Sequence, residues 1–246
     1  MSLVSTEWLG ENLSKVKIID ASWHLVKNRN AIEEYNKEHI ENAIFFDLDK
    51  NSNQKKDLPH GHFLPSLIDY EKSISKMGIS NSDRIIIYCY SDLISSCRAW
   101  FQFLYFGHNP KLVSVLDGGM KKWKLEGRKV SNLKTKIIPS KYKAKENKNM
   151  VKIKSQIDEN IEKKNFTVLD ARSKNRFLGL EPEPRPGIKS GSIKESRSIP
   201  LSEIINKKDN TFLDTKKLRD IFNSSGISSN KIVMSCGSSV SAASLA

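Results

Sequence analysis

Cysteine is scarce in this chain, and long apolar runs are missing. The three cysteines, Cys89, Cys97 and Cys236, are an odd number in 246 residues. A secreted disulfide scaffold uses more cysteines in pairs, so the composition favours a reducing compartment. No stretch approaches the roughly 18 apolar residues of a membrane span, and no basic segment followed by an apolar run begins the sequence. We therefore expect a cytoplasmic protein with no membrane partner.

Charge is one-sided, with 41 Lys and Arg residues against 28 Asp and Glu and a formal net charge of +13. Dense basic patches drive non-specific binding to phosphate backbones. The basic residues here are mostly lysines scattered among asparagine and isoleucine, as in proteins from AT-rich genomes. No helix-turn-helix, zinc-knuckle or RNP-type pattern accompanies them. We therefore expect no specific nucleic-acid partner.

The two halves of the chain repeat one pattern. Apolar runs alternate with helix-like segments in each half, which predicts βα units and a mainly parallel sheet flanked by helices. We expect an α/β protein with domains at 1–130 and 151–246, joined by a lysine-rich linker at 131–150. Three segments recur in the same order, with offsets of 150, 148 and 147 residues: 16–21 as 166–171, 77–80 as 225–228, and 84–89 as 231–236.

The second half follows the first only as far as the segment after Cys236. At the same offset, the counterparts of Asp117 and Trp123 would lie beyond residue 246. The sequence therefore predicts a second domain that is incomplete at its C-terminus. A chain of this kind also admits a non-enzymatic interpretation, an inactive fragment that acts at most as a binding module.

The segment around Cys236 is the first candidate for chemistry. The apolar run at 232–234 predicts a strand that delivers Cys236 to a turn at the start of a helix. Backbone N–H groups of such a turn, with the positive end of a helix, favour an anion and bias a cysteine toward thiolate. Gly237, Ser238 and Ser239 suit a loop whose amides face a bound anion. The alternative is a buried cysteine that packs as a small hydrophobe.

Several motifs accompany the Cys236 loop at 236–242: Leu-Asp-Ala-Arg at 169–172, Glu-Pro-Glu-Pro-Arg at 181–185 and, in the first half, 62–65, 106–108 and 115–119. Together they resemble the two-domain rhodanese-like sulfurtransferases, and within them the subfamily that uses 3-mercaptopyruvate. The resemblance implies tandem rhodanese-like domains, a catalytically silent first domain, and neither a cofactor nor a metal. In the implied reaction Cys236 takes sulfur from 3-mercaptopyruvate as a persulfide, pyruvate leaves, and a thiol such as thioredoxin, or cyanide, accepts the sulfur.

The resemblance also implies a group that moves protons at the thiol. It is similar to a serine-protease triad, and in this chain it corresponds to Ser238, His62 and Asp49. Histidine titrates near neutrality, so an oriented His62 can pass a proton between substrate and solvent. The competing candidates in the same segment are His60, Asp47 and Asp57.

Substrate binding is implied for two arginines and the cysteine loop. The family places the counterparts of Arg176 and Arg185 against the carboxylate and keto oxygen of mercaptopyruvate, and guanidinium groups suit a planar carboxylate. The alternative is that both arginines form surface ion pairs with Glu181 and Glu183. The loop residues implied to surround the substrate are Gly237, Ser239, Val240 and Ser241.

The composition of the loop separates related activities. Thiosulfate-using relatives carry basic residues in this loop, but none lies between Cys236 and Ala242. Thiosulfate sulfurtransferase activity is therefore the second choice. A rhodanese-related phosphatase needs an arginine at the end of the loop, where Ser241 and Ala242 stand. Ser239 replaces a glycine of the family pattern, so a positive φ at this position would strain the loop.

Overall fold

Each half of the chain folds around its own parallel β-sheet. The computed structural model describes residues 2–25, 28–55, 61–184, 188–227 and 231–246. The chain divides into a first unit, Met1–Lys148 with Lys208–Thr211, and a second unit, Asn149–Lys207 with Phe212–Ala246.

The described residues form short strands and helices that alternate along the chain. Strands β1 to β8 are Leu3–Val4, Lys17–Asp20, Ala43–Phe45, Ile85–Tyr88, Val113–Leu116, Thr167–Asp170, Arg197–Ser198 and Ile232–Ser235. Helices α1 to α9 are Thr6–Asn12, Ala31–Lys37, Leu67–Lys76, Ser96–Tyr105, Gly119–Leu125, Lys154–Lys163, Lys174–Leu178, Leu201–Ile204 and Thr215–Ser224. Turns of 3-10 helix occupy Leu13–Lys15, Lys148–Met150 and Ser241–Ser244.

The order of the strands confirms the predicted α/β class and the tandem repeat. In the described residues the first sheet has the order β1-β5-β4-β2-β3 and the second β7-β6-β8. Neighbouring strands are parallel in both sheets. Ile18 lies opposite Ile86 in the first sheet, and Val168 lies opposite Val233 in the second. The arrangement β7-β6-β8 therefore repeats β3-β2-β4.

Strand β4 forms the centre of the first unit, and its four residues are buried. Tyr70 of α3 stacks on Phe106, with ring centroids 3.9 Å apart. Phe103 of α4 meets the edge of Tyr70 at 5.9 Å. Burial of aromatic side chains of this size contributes much of the stability of a domain core. This packing fixes α4, the helix that follows the loop after Cys89. That loop, the first-unit cysteine loop, is the counterpart of the Cys236 loop in the repeat.

Residues 131–148, most of the predicted linker, pack against the first unit. Ser131 and His39 exchange backbone hydrogen bonds of 2.8 Å. Tyr142 is 2% exposed, and its ring stacks on that of His108. The physical reason is the large apolar area that Tyr142 removes from water. The segment between the units is therefore much shorter than the predicted 131–150.

Strand β8 is less well covered than β4, its counterpart in the repeat. Within the described residues β8 is hydrogen-bonded to β6 alone, whereas β4 lies between β2 and β5. The four residues of β8 are half-buried and those of β4 are buried. An edge strand of this kind depends on fewer contacts for its stability. Incompleteness of the second domain stays a prediction.

Candidate functional site

Cys236 follows β8 directly, as the sequence predicts, and its side chain is half-buried. The loop is anchored on its apolar side by Val240 and Ala242, which are 2% and 4% exposed. A 3-10 turn at Ser241–Ser244 stands where the sequence predicts the start of a helix. Short helical segments commonly take the tighter 3-10 form. With so few aligned peptide dipoles, stabilisation of an anion depends mainly on the N–H groups of the loop.

Ser239 has a left-handed backbone, with φ of 61°. The sequence raised this possibility because serine stands where the family pattern has glycine. A side chain in this conformation costs about 1–2 kcal/mol relative to the right-handed region. The loop therefore retains its shape with a strained residue three positions after Cys236.

Arg176 lies beside the cysteine loop. It is carried by α7, whose N-terminus is capped by Ser173 through a 3.3 Å hydrogen bond from the Arg176 amide. Arg176 donates from Nε to Glu183 Oε1 at 3.1 Å and from Nη2 to Glu183 Oε2. A Cβ atom built on Gly237 would lie 3.1 Å from Arg176 Nη2. The guanidinium is therefore in van der Waals range of the residue that follows Cys236.

Arg172 and Asp170 continue this chain of charges toward the end of β6. Arg172 donates from Nη2 to Asp170 Oδ2 at 2.6 Å and from Nη1 to Glu183 Oε1 at 2.6 Å. Burial alone would raise the pKa of Glu183, but hydrogen bonds from Arg176 and Arg172 outweigh burial, and the pKa lies below its ordinary value. The alternative of an ion pair is thus partly realised, because Arg176 does pair with Glu183. The pair is internal, since the Glu183 side chain is 2% exposed.

The other predicted members of this region have different outcomes. Glu181 accepts a hydrogen bond from Ser173 at 3.1 Å. Arg185 lies outside the described residues, so its predicted role stays a prediction. Ser238 lies two residues after Cys236 in the same loop.

His62 and Asp49 meet in the first unit. His62 Nε2 lies 2.8 Å from Asp49 Oδ1, and the His62 side chain is 2% exposed. Trp23 donates from Nε1 to both Asp49 oxygens at 3.2 Å, and its ring lies 4.7 Å from the imidazole. The buried Nδ1 of His62 has no hydrogen-bond partner among the described residues. An imidazole oriented by a carboxylate, with its second nitrogen available, has the form of an acid–base group.

Of the three competing candidates, the structure describes Asp47 alone. Asp47 accepts from the backbone amide of Lys50 at 3.0 Å and pairs with the Lys50 ammonium at 3.1 Å. His60 and Asp57 lie outside the described residues. Within the first unit the structure brings together Asp49 and His62. Within the second unit, described separately, Arg176 lies beside the loop that carries Cys236 and Ser238.

Helix α4 holds the segments that carry His62 and Asp49. Arg98, 3% exposed, donates from Nη2 to the backbone carbonyl of His62 at 2.8 Å. One turn later, Gln102 donates from Nε2 to the backbone carbonyl of Asn51 at 3.2 Å. His62 has φ of 70°, an unusual conformation that surrounding contacts must maintain. The contact from Arg98 is one of them.

The first-unit cysteine loop is closed. Cys89 is 5% exposed, and its Sγ lies 3.4 Å from Ser96 Oγ. Tyr90 stands at the position that Gly237 has in the second unit. Arg29 donates to the Tyr90 carbonyl at 2.9 Å and lies over the Tyr90 ring at 5.0 Å. This geometry gives a physical reason to expect the first loop to be silent.

Metal and membrane sites have no support in the parts of the chain that the structure describes. No group of three or more His, Cys, Asp or Glu side chains is arranged there to hold a metal ion. No helix there combines the length and the apolar character needed to cross a bilayer.

Sequence reasoning missed four supporting residues. Arg172 had a usable signal, because it follows Asp170 at the carboxyl end of a strand, where functional side chains of parallel sheets gather. Glu183 was considered only as a competing partner of the arginines. Trp23 and Arg98 carry no local sequence signal, since their contacts depend on residues far along the chain.

Comparison with known proteins identifies the class. The profile described as Rhodanese-like domain matches residues 5–126. The chain is 33% identical to human 3-mercaptopyruvate sulfurtransferase over 98% of this chain and 83% of the human protein. It is 36% identical to the Arabidopsis thaliana thiosulfate/3-mercaptopyruvate sulfurtransferase 1, a mitochondrial protein, over 99% of this chain and 70% of that relative.

The fold gives the same answer. The crystal structure of SseA from Escherichia coli, described as a 3-mercaptopyruvate sulfotransferase, matches with a TM-score of 0.88 and 27% identity, covering all of this chain and 92% of SseA. The chain therefore belongs to the rhodanese-like sulfurtransferases. It is an enzyme of the 3-mercaptopyruvate/thiosulfate type.

Proposed function

We propose that this sulfurtransferase takes sulfur from 3-mercaptopyruvate through a persulfide on Cys236. The observation that carries the proposal is the position of Arg176. Its guanidinium is hydrogen-bonded to Glu183 and lies beside Gly237. The loop from Cys236 to Ser241 carries no basic side chain. A donor whose charge lies on a carboxylate, away from the reacting sulfur, suits this arrangement.

The first half-reaction forms one bond and breaks one. The Cys236 thiolate attacks the substrate sulfur, and an S–S bond forms as the C–S bond breaks. The electron pair of the C–S bond passes to the carbon as the enolate of pyruvate, which takes up a proton and leaves as pyruvate. Arg176 binds the carboxylate, with Arg185 as the proposed second donor. The amides of Gly237, Ser239, Val240 and Ser241 are proposed to face the transferred sulfur.

Proton movement is assigned to His62. Asp49 orients the imidazole through Nε2, which leaves Nδ1 as the nitrogen that exchanges a proton. Ser238 is proposed to act next to the thiolate, because it lies two positions after Cys236 in the loop. In the second half-reaction a thiolate acceptor attacks the outer sulfur and returns Cys236 to its thiolate form. Thioredoxin, a small thiol and cyanide are the proposed acceptors, and a cytoplasmic location also remains a proposal.

Thiosulfate use is the second candidate, because the Arabidopsis relative is named for both donors. Release of pyruvate from 3-mercaptopyruvate, compared with sulfur transfer from thiosulfate to cyanide, decides between them. Arg176→Ala is expected to weaken use of 3-mercaptopyruvate about ten- to a hundredfold, since one charge-assisted hydrogen bond contributes roughly 1.5–3 kcal/mol. Arg219→Ala, an exposed arginine of α9, is the matched control. A wild-type chain that uses neither donor would contradict the proposed function.

A further inference from the structure

Glu183 joins Arg172 and Arg176, the two arginines near the Cys236 loop. Its carboxylate accepts from Arg172 at 2.6 Å through Oε1 and from Arg176 through both oxygens. Arg172 is bound in turn by Asp170 at 2.6 Å. All four side chains are at most 18% exposed. The set therefore contains two guanidinium groups and two carboxylates, and its formal charges cancel.

This balance determines how strongly the loop attracts anions of different charge. Glu183 accepts hydrogen bonds from the Nε and Nη2 atoms of Arg176. The net formal charge of this pair beside Gly237 is therefore zero. The hydrogen bonds to Glu183 use Nε and Nη2 of Arg176, and Nη1 is the nitrogen proposed to donate to a ligand. A single carboxylate gains most from such a directed donor, whereas a dianion gains most from uncompensated positive charge. Arg185 adds a formal positive charge to this stretch of sequence and lies outside the described residues.

We propose that Glu183 is a specificity-determining residue. It anchors Arg176 and cancels one positive charge beside the Cys236 loop, and it thereby favours monoanionic sulfur donors such as 2-keto carboxylates over dianionic donors such as thiosulfate. This inference rests on the proposed function, because it concerns the choice between donors at the same site. Glu183 acts through Arg176 and is not assigned a contact with the substrate.

The test is the ratio of kcat/KM for thiosulfate to kcat/KM for 3-mercaptopyruvate. Glu183→Gln keeps the shape of the side chain and removes its charge, so this ratio is expected to rise about tenfold. The estimate takes one unit charge about 6 Å from the ligand beside this partly solvated loop, at an effective dielectric constant of about 40. Glu181→Gln is the matched control, because it removes an equal charge from a side chain bonded to Ser173. Its ratio is expected to stay within about twofold of wild type.

A second variant changes the charge in the opposite direction. Arg172→Gln removes a positive charge from the same set, and the ratio is expected to fall by a similar factor. Glu183→Gln removes the carboxylate that pairs with the two arginines, whereas Arg172→Gln removes a partner of Asp170 and Glu183. If one variant fails to fold, the other still tests the inference. An unchanged ratio in a folded Glu183→Gln or Arg172→Gln protein would overturn the inference. An equal change in Glu181→Gln would overturn it as well, because any nearby charge would then serve.

Binding separates this inference from the proposed function. Thiosulfate and pyruvate are titrated into Cys236→Ser protein, with and without Glu183→Gln, and the Nε–H resonance of Arg176 is followed by NMR. The ratio of the two affinities is expected to move toward thiosulfate by about tenfold in Glu183→Gln. A wild-type chain that uses neither donor would reject the proposed function, while this affinity ratio still decides on Glu183. An affinity ratio that does not move would reject the role of Glu183 alone.

Discussion

Gly237 is the residue whose lack of a side chain allows Arg176 to approach the cysteine loop. In Gly237→Ala the new Cβ would lie 3.1 Å from Arg176 Nη2, tighter than the 3.4–4 Å of ordinary contact. Glu183 holds the guanidinium through two hydrogen bonds, so the guanidinium cannot retreat without lengthening them, and Glu183 Oε2 would itself lie 3.7 Å from the new Cβ. Gly237 is not among the residues with positive φ, and alanine is therefore compatible with the backbone.

The expected effect of Gly237→Ala follows from loss of one charge-assisted hydrogen bond to the substrate carboxylate. Such a bond contributes roughly 1.5–3 kcal/mol, which corresponds to about a ten- to hundredfold rise in KM for 3-mercaptopyruvate. The free energy of unfolding is expected to change by less than about 1 kcal/mol, because the backbone is unstrained. Steady-state release of pyruvate and urea unfolding measure the two quantities.

A double-mutant cycle with Arg176→Ala shows whether the effect passes through Arg176. If Gly237→Ala acts by displacing the guanidinium, it costs nothing further once Arg176 is alanine. Independent, multiplying effects of the two substitutions would refute the reasoning. So would a Gly237→Ala protein with the KM of wild type.

Three further predictions concern buried charge, strain and positioning. Burial raises the pKa of Asp20 from 3.8 to about 6. The folded state therefore binds this proton more tightly than the unfolded state, and stability falls as pH rises from about 4 to 6, by about 3 kcal/mol from this group. Urea unfolding of Asp20→Asn should lack this decline, and an identical decline would contradict the assignment. Ser239→Gly should raise the free energy of unfolding by about 0.5–1 kcal/mol because it relieves a positive φ, while Ser238→Gly should not. Arg98→Met should lower kcat about tenfold by removing the donor to the His62 carbonyl, and Arg98→Lys should restore most of the loss in the same assay.

The sequence predicted the elements that recur, because the repeat links residues of like environment in both halves. Gly78 and Gly226 occupy equivalent places in the repeat, and both have positive φ, 69° and 73°. The strand that ends before Cys236 was found from its apolar run. The backbone of Ser239 was anticipated from a missing glycine. In each case a local pattern was sufficient.

Contacts between residues far apart in the sequence could not be predicted from local patterns. The segment at 131–148 is rich in lysine and looks like a linker, yet Tyr142 is buried in the first unit. Arg176 and Arg185 were recognised as possible ion-pair partners of Glu181 and Glu183. The sharing of Glu183 by Arg172 and Arg176 was not, because it depends on how α7 and the residues after it fold back. Trp23 contacts Asp49 across 26 residues of sequence, a distance at which no spacing rule applies.

The central claim is that Cys236 is the sulfur-carrying residue, and intact mass measurement after incubation with 3-mercaptopyruvate tests it directly. The account predicts that the wild-type chain gains the mass of one sulfur atom, which a thiol reductant removes. Cys89→Ser should gain the same mass, because Cys89 is buried in the closed first loop, and Cys236→Ser should gain none. A Cys236→Ser protein that still acquires sulfur, together with a Cys89→Ser protein that does not, would contradict the account and assign the chemistry to the first unit.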